Sequence, residues 1–329
     1  MELFGEFGMA GTNDSLTFSS RLAEDDPASR YWRPLLTDPQ GDFARHYNRE
    51  SFCFDHGLKG HPLFELDSLI ALSHRLPVHT DFAYWSNGGV KVADPWEKGM
   101  FKRPTLPETV SGILSNDSIL IMKHTEQDPI HGPVLTKLLS TFVDFVGAKF
   151  RDDVILGEAM ILVASPNRIT PYHFDAELNF LLQIKGDKTL NVFDHTRAKQ
   201  VSDEELEGYF SGHPSSAKYS QHRQALATVY DFKAGQGVHI PCMAPHWVQN
   251  GNNLSVALSV NYQLKSVKRI ARSHWLNHRL RKLGLAPASP GSSALRDAVK
   301  GWSADQLQAL RRLTKPKPPT PPWSDWKPD

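Results

Sequence analysis

The chain is poor in cysteine. Cys53 and Cys242 are its two thiols, too few for a disulfide framework and in keeping with a reducing compartment such as the cytoplasm. Long apolar runs are missing as well. The segment Met1-Glu-Leu-Phe-Gly-Glu-Phe-Gly8 has no basic stretch followed by a hydrophobic one, so no signal peptide is expected, and no stretch approaches the roughly 20 residues that span a bilayer. Neither sign of charge is in excess: 37 Lys and Arg against 36 Asp and Glu leave a net charge of +1. That balance creates no global field favouring nucleic acid or an anionic membrane. There is no internal repeat, no helix-turn-helix and no nucleic-acid stripe. What is present is a chain of 329 residues with 40% hydrophobic content, enough for a sizeable core. Barrels with helical additions reach this length as one unit.

Against that background one pattern stands out. His173 and Asp175 lie in the run Thr170-Pro-Tyr-His-Phe-Asp-Ala-Glu-Leu-Asn179, and His246 follows downstream in Ile240-Pro-Cys-Met-Ala-Pro-His-Trp247. Residues two apart on a strand project to one side of a sheet, so His173 and Asp175 are expected to share a face while Phe174 turns away. One further imidazole completes the set. Two His and one carboxylate on one face of an octahedron leave open positions for a cosubstrate and O₂, which is the need of a non-haem Fe(II) centre. A His-x-Asp triplet by itself is common by chance; its surroundings add weight. Leu178 to Lys185, ended by Gly186, reads as a buried strand and turn, Lys188 to Phe193 as a second strand, and Leu254 to Tyr262 as a third with near-strict alternation. The metal residues are therefore expected at strand edges in an all-β core. Cys242 is expected as a small buried hydrophobe, since thiolates favour softer metals than carboxylates do. His239 is expected as a hydrogen-bonded strand histidine, His195 as a solvent-facing one and His124 as a residue of the pocket wall.

The stretches Thr170 to Phe193 and Gly235 to Tyr262 resemble the JmjC branch of the cupin fold, the Fe(II)- and 2-oxoglutarate-dependent dioxygenases, and within it the asparaginyl hydroxylases of hypoxia-inducible factor. The resemblance implies a mainly β chain, a double-stranded β-helix (jelly roll) with flanking helices and a helical carboxyl-terminal extension. It implies that His173, Asp175 and His246 bind Fe(II), that Lys188 pairs with the distal carboxylate of 2-oxoglutarate, that Thr170 helps hold the same carboxylate, and that Asn179 and Asn261 lie near its metal-bound end. Lys188 follows His173 by fifteen residues, after the turn at Gly186, which lets an inward side chain reach across the barrel. A tyrosine that the family uses on an earlier strand has no match in Ser118-Ile-Leu-Ile-Met-Lys123. Two further departures bear on the substrate. Gln263 stands where the asparaginyl hydroxylases have a tryptophan, and Glu177 replaces an amide, so asparagine hydroxylation is not carried over. Hydroxylation of a protein or peptide side chain with O₂ is the first expectation, a small-molecule substrate the second and N-methyl-lysine demethylation the third. A non-enzymatic metal-binding cupin sensor and a structural protein with a vestigial site stand as alternatives, both disfavoured by the intact triad together with Lys188.

The remaining chain divides by character. Residues 1–110 read as helix and loop wrapping of the barrel, 111–265 as the catalytic core, 266–314 as carboxyl-terminal helices and 315–329 as a Pro-rich, polyproline-type tail. Pro133 opens a helix with Leu135, Leu138, Leu139, Phe142 and Val146 on one face. The insert 197–227 carries a capping box at Ser202-Asp-Glu-Glu205 and is expected either as a lid or substrate wall or as a passive excursion. Lys265 to Lys282 is basic, with Val267, Ile270, Ala271 and Trp275 on one side and Leu276, Leu280 and Leu283 on the other; a second helix is expected from a Ser303-x-x-Gln306 cap. Leaving one of two opposed apolar sides in water is unusual for a monomer, so a homodimer held by these helices is expected, as in the related hydroxylases.

Overall fold

The structure, a computed structural model, describes residues 35–76, 83–96, 106–194 and 201–314. The Pro-rich tail and His195 lie outside the described residues. In chain order the strands are β1 (Leu36–Thr37), β2 (Phe52–His56), β3 (Ala83–Asn87), β4 (Ser118–Met122), β5 (Val154–Ala164), β6 (Ile169–His173), β7 (Leu178–Lys185), β8 (Asp187–Phe193), β9 (Ala227–Lys233), β10 (Gln236–Ile240), β11 (His246–Asn250) and β12 (Ser255–Leu264). The helices are α1 (Asp42–His46), α2 (Leu66–Arg75), α3 (Leu106–Ser111), α4 (Gly132–Val146), α5 (Ala148–Asp153), α6 (Asp203–Tyr209), α7 (Lys265–Lys282) and α8 (Ala294–Thr314).

From β5 onward the strands are shared between two antiparallel sheets. One sheet runs β1-β2-β10-β7-β12-β5-β4-β3 and the other β6-β11-β8-β9. This is a double-stranded β-helix. The same sheet also takes in β1, β2 and β3, so the expected helix and loop wrapping before residue 110 includes strands as well: β2 pairs with β10 at one edge and β3 with β4 at the other.

Both faces of the larger sheet are buried, which is why its strands read as nearly continuous apolar runs. On β7, Leu181 faces inward and packs with Leu190, Val192, Val238, Ile240, Val248 and Ala257. Its neighbours Phe180 and Leu182 face outward, into a larger cluster with Leu135, Leu138, Phe142 and Val146 of α4. Phe180 and Phe142 stack with centroids 4.2 Å apart. The turn from β7 to β8 requires Gly186: its φ is +78°, and a Cβ there would lie 2.2 Å from Asn253 Oδ1.

Two expectations about helix ends resolve differently. The capping box forms, with Glu205 N donating to Ser202 Oγ at 3.1 Å and Ser202 N donating to Glu205 Oε2 at 2.7 Å. By contrast, α8 does not start at Ser303. It begins at Ala294, where Ser293 precedes it and its carbonyl accepts Asp297 N; residues 294–302 hold no proline and one glycine, so nothing delays the helix to the later cap-like pattern.

Candidate metal centre

His173 ends β6 and His246 begins β11, and the two are direct partners in the smaller sheet. Cross-strand partners in register present their side chains on one face, and the rings lie 4.2 Å apart. Asp175 differs from expectation. It sits beyond the end of β6, in the four-residue turn that carries the chain over to β7 in the other sheet. The strand stops because the crossing must begin there, and a turn delivers the carboxylate instead of the strand. Its Oδ2 lies 3.7 Å from His173 Nε2 and 3.8 Å from His246 Nε2. One ligand atom from each residue falls within 4.8 Å of the others.

The imidazoles are set as neutral donors. His173 Nδ1 lies 2.7 Å from Pro171 O and His246 Nδ1 lies 3.0 Å from Ala244 O. A proton on Nδ1 satisfies each carbonyl and leaves the Nε2 lone pair facing Asp175, the tautomer that a metal takes. Burial pushes both rings down to about 4, so neither is cationic near neutrality. Desolvation raises the Asp175 carboxyl, with His246 and Lys123 pulling the other way. Two neutral imidazoles and one carboxylate suit Fe(II) by their donor chemistry.

Lys188 lies deeper in the same barrel. Its strand partner on β11 is Asn250, with Leu190 opposite Val248 and Val192 opposite His246, so Lys188, Leu190 and Val192 share the face of His246. It is 6% exposed, and no carboxylate among the described residues pairs with it. Burial alone draws its ammonium down to about 7. A buried lysine without a partner is costly unless an anion meets it. Thr170 would ordinarily face away from His173, three residues on. A bulge between His246 and Val248 shifts the register so that Thr170 pairs with Val248, which returns it to the metal side.

Asn179 and Asn261 are cross-strand partners on β7 and β12, facing the barrel interior from the larger sheet. Asn179 Nδ2 donates to Asn261 Oδ1 at 2.6 Å and to Ser259 Oγ at 2.5 Å, while Asn179 Oδ1 is buried with no partner. The strand where the family places a tyrosine turns Ile119 and Ile121 toward Ala164, with Trp96 packed against them. His239 faces outward and is fully used: Asn48 N donates to its Nε2 at 2.9 Å, and its Nδ1 lies 2.9 Å from Asn179 O. Cys242 is 1% exposed in the core, and burial raises its thiol far above the ordinary range.

Several contributors escaped the sequence reading. Trp96 lies over His173 with centroids 4.5 Å apart. Glu158 on β5 is the cross-strand partner of Asn261 and lies 3.4 Å from His124 Nδ1. Tyr209, from the insert, packs on Phe174 and accepts a hydrogen bond from Ala176 N at 3.2 Å. The insert is also tied down elsewhere, through Trp96 N to Ser215 Oγ and Gln224 to Asn191 and Trp247. No local pattern marks Trp96 or Tyr209, because their partners are distant in sequence.

No protein-family model matches the chain, and no curated protein sequence matches it. Among solved structures, the Escherichia coli ribosomal oxygenase YcfD is similar at 14% identity, covering 86% of this chain and 69% of that one, with a TM-score of 0.46. The same protein in complex with cobalt and 2-oxoglutarate gives 13% identity, 86% and 68% coverage and a TM-score of 0.43. An oxalate decarboxylase from Lactobacillus farciminis gives 20% identity over 40% of this chain and 32% of its own, with a TM-score of 0.23. The fold described above rests on the strand order itself.

Proposed function

We propose that the chain is an Fe(II)- and 2-oxoglutarate-dependent oxygenase that hydroxylates a protein or peptide side chain. The supporting observation is the coexistence, inside one barrel, of a two-His, one-carboxylate face and a buried lysine with which no carboxylate among the described residues pairs. A metal-holding sensor needs the first and has no use for the second. His173, Asp175 and His246 hold the metal; Lys188 and Thr170 hold the distal carboxylate of the cosubstrate, and Asn179 and Asn261 border its other end. Fe(II) with 2-oxoglutarate and O₂ supplies decarboxylation to succinate and CO₂ coupled to insertion of one oxygen atom into a C–H bond. The chain's own part is placement. Trp96 lies over the ring of His173, the backbone carbonyls of Pro171 and Ala244 fix the imidazole tautomers, and the insert walls the mouth. Glu177 at that mouth carries a carboxyl that burial pushes up to about 7, in place of the family's amide, and so asparagine is not proposed as the target.

The test is succinate formation from 2-oxoglutarate with Fe(II) and no added substrate, followed by mass spectrometry of a host lysate for products heavier by one oxygen. Absence of iron-dependent succinate would end the enzymatic reading. A peptide product supports a protein target; a small-molecule product replaces it.

The proposal extends to a homodimer, on a different surface from the one the sequence suggested. Of the expected face, Leu276 and Leu280 are covered within the subunit, packing with Trp275 against Ala304 of α8, whereas Leu283 is 77% exposed. The uncovered apolar stripe is on α8: Leu295 is 78% exposed, Val299 56%, Trp302 65% and Leu310 59%. Their spacing of four, three and eight residues holds them within about a quarter of the helix circumference. A second copy seated on this stripe would cover it. The two free thiols suit a reducing compartment, and we place the enzyme in the cytoplasm on that ground. No helix among the described residues is long and apolar enough to cross a membrane.

A further inference from the structure

We propose that Tyr209 is a positioning residue for the metal-binding carboxylate, set in place through α6 by the carboxyl-terminal helix α7. The inference rests on the reading of His173, Asp175 and His246 as a metal site and goes beyond it to how the site is held.

The two imidazoles are fixed by the β6 and β11 ladder, but Asp175 has no such support. It stands in the turn 174–177, outside any strand. Two hydrogen bonds to the main chain of that turn come from elsewhere in the molecule. Met243 N donates to Asp175 O at 2.7 Å, and Ala176 N donates to the Tyr209 hydroxyl at 3.2 Å. The Phe174 side chain is 1% exposed, with the Tyr209 ring 4.8 Å away. A single side chain of the insert thus grips both neighbours of Asp175, one by its ring and the other by its oxygen. Were that oxygen removed, the Ala176 N–H would lose its partner and the turn one of the two external main-chain hydrogen bonds found among the described residues.

Tyr209 is the last residue of α6, and α6 is held from its other side. Phe210 stacks on His274 of α7 with centroids 5.7 Å apart and planes 18° from parallel. Arg281 of α7 donates through Nε to Glu207 Oε2 at 2.8 Å and lies 3.3 Å from Glu204. The Glu207 side chain is 1% exposed, so this pair is the kind whose breakage is felt. The contacts run without a gap from α7 to α6, to Tyr209, to Ala176 and to the carboxylate. Partners behind first ligands commonly change metal affinity by about 10- to 100-fold when removed, and the geometry gives Tyr209 that place although it comes from an insert.

Tyr209→Phe keeps the ring packing and deletes one oxygen. The measurement is Co(II) titration of the intact chain, followed by the visible absorption of the bound ion, with the melting temperature taken separately in chelator. The expected result is Co(II) affinity about tenfold weaker with an altered absorption band, at a temperature where chelated variant and wild type are both folded. A role in packing alone would lower the melting temperature and leave the affinity and band of the folded protein unchanged, and that result overturns the inference. Hydrogen exchange on wild type provides a second arm that needs no variant. Linkage requires Co(II) to slow exchange in residues 174–178 and in α6; no slowing there refutes the inference. If the wild type binds no Co(II), the metal site itself fails. If it binds Co(II), His173→Ala does not and Tyr209→Phe matches wild type, only the positioning role fails.

Discussion

The barrel mouth and the carboxyl-terminal helices are both incomplete, in opposite chemical senses. In the barrel, polar groups are buried and short of partners among the described residues: Lys188, which no carboxylate meets, and the Asn179 side-chain oxygen Oδ1, while the Nε2 atoms of two neutral imidazoles converge on Asp175. Along α8, apolar side chains stand in water without a cover. Burying an unpaired polar group costs more than exposing an apolar one, so the mouth demands small polar ligands, and the helix face asks for a partner surface with little specificity of its own. The contrast assigns different work to two regions that a contiguous set of packed residues connects.

The largest expected effect breaks the mouth alone. Saturating Co(II) should raise the melting temperature of the wild type, because a ligand bound only by the folded state stabilises it, and should leave His173→Ala unmoved. An equal rise in both would place the metal elsewhere.

Next in size, Lys188→Met should raise the 2-oxoglutarate requirement by about tenfold or more, the loss of one charge-assisted hydrogen bond worth about 1.5 to 3 kcal/mol, with Co(II) binding retained. The ligand-free variant should also melt higher than wild type, since a buried charge without a partner is removed. The pH dependence follows from the sign of the shift. Burial lowers Lys188 from 10.5 to about 7 in the folded chain, so the unfolded chain holds the extra proton between those values and the Lys188 contribution to stability rises with pH from about 7 to 10.5. The wild type minus Lys188→Met difference in stability should show that slope, and a flat difference would mean that Lys188 is already paired. The buried histidines act in another window. With His56, His173, His246 and His274 pushed down to about 4 and His239 to about 3, their contribution to stability is full above pH 6.5 and falls on acidification toward 4.

A third effect belongs to the helix face. Trp302→Glu should convert a dimer to a monomer by light scattering while leaving Co(II) affinity unchanged. A monomeric mass for the wild type at micromolar concentration would remove the dimer from the comparison. The smallest effect crosses between the regions. Arg281→Gln loosens α6 from α7 at a distance from the metal, and Co(II) affinity should weaken by about threefold, within the range of coupling through packed networks. No change in affinity would confine the site's support to Tyr209 and its immediate neighbours.

Much of the barrel was legible because strand signals are local. The alternation in Leu178 to Lys185, the glycine at 186 and the run Ser255 to Leu264 each follow from short-range chemistry, as does the cap at Ser202. His173, His246 and Lys188 are singled out by spacing and resemblance and Thr170 by resemblance alone; the structure brings the two histidines into register and turns Lys188 and Thr170 toward their side of the smaller sheet. The Asp175 assignment joins the site by a different route from the one expected, because a two-residue spacing says nothing about where a strand stops. The helix faces misled for a related reason. Two apolar sides on Lys265 to Lys282 are consistent with one partner within the subunit and one outside it, or with two inside, and α8 takes the second place.

The amino-acid sequence by itself determined the residue types able to hold a metal and an anion, several of the barrel strands and the points at which the chain turns between them, since these depend on periodicity and on side chains a few positions apart. Tertiary structure alone decided that Trp96 lies over His173, that Tyr209 of an insert contacts the turn beside Asp175, that Lys188 meets no carboxylate among the described residues and that an exposed apolar stripe lies on α8. Each of these is a contact, or the lack of one, between segments far apart in the chain. No local spacing encodes it, because closing the barrel and docking the helices is what sets those distances.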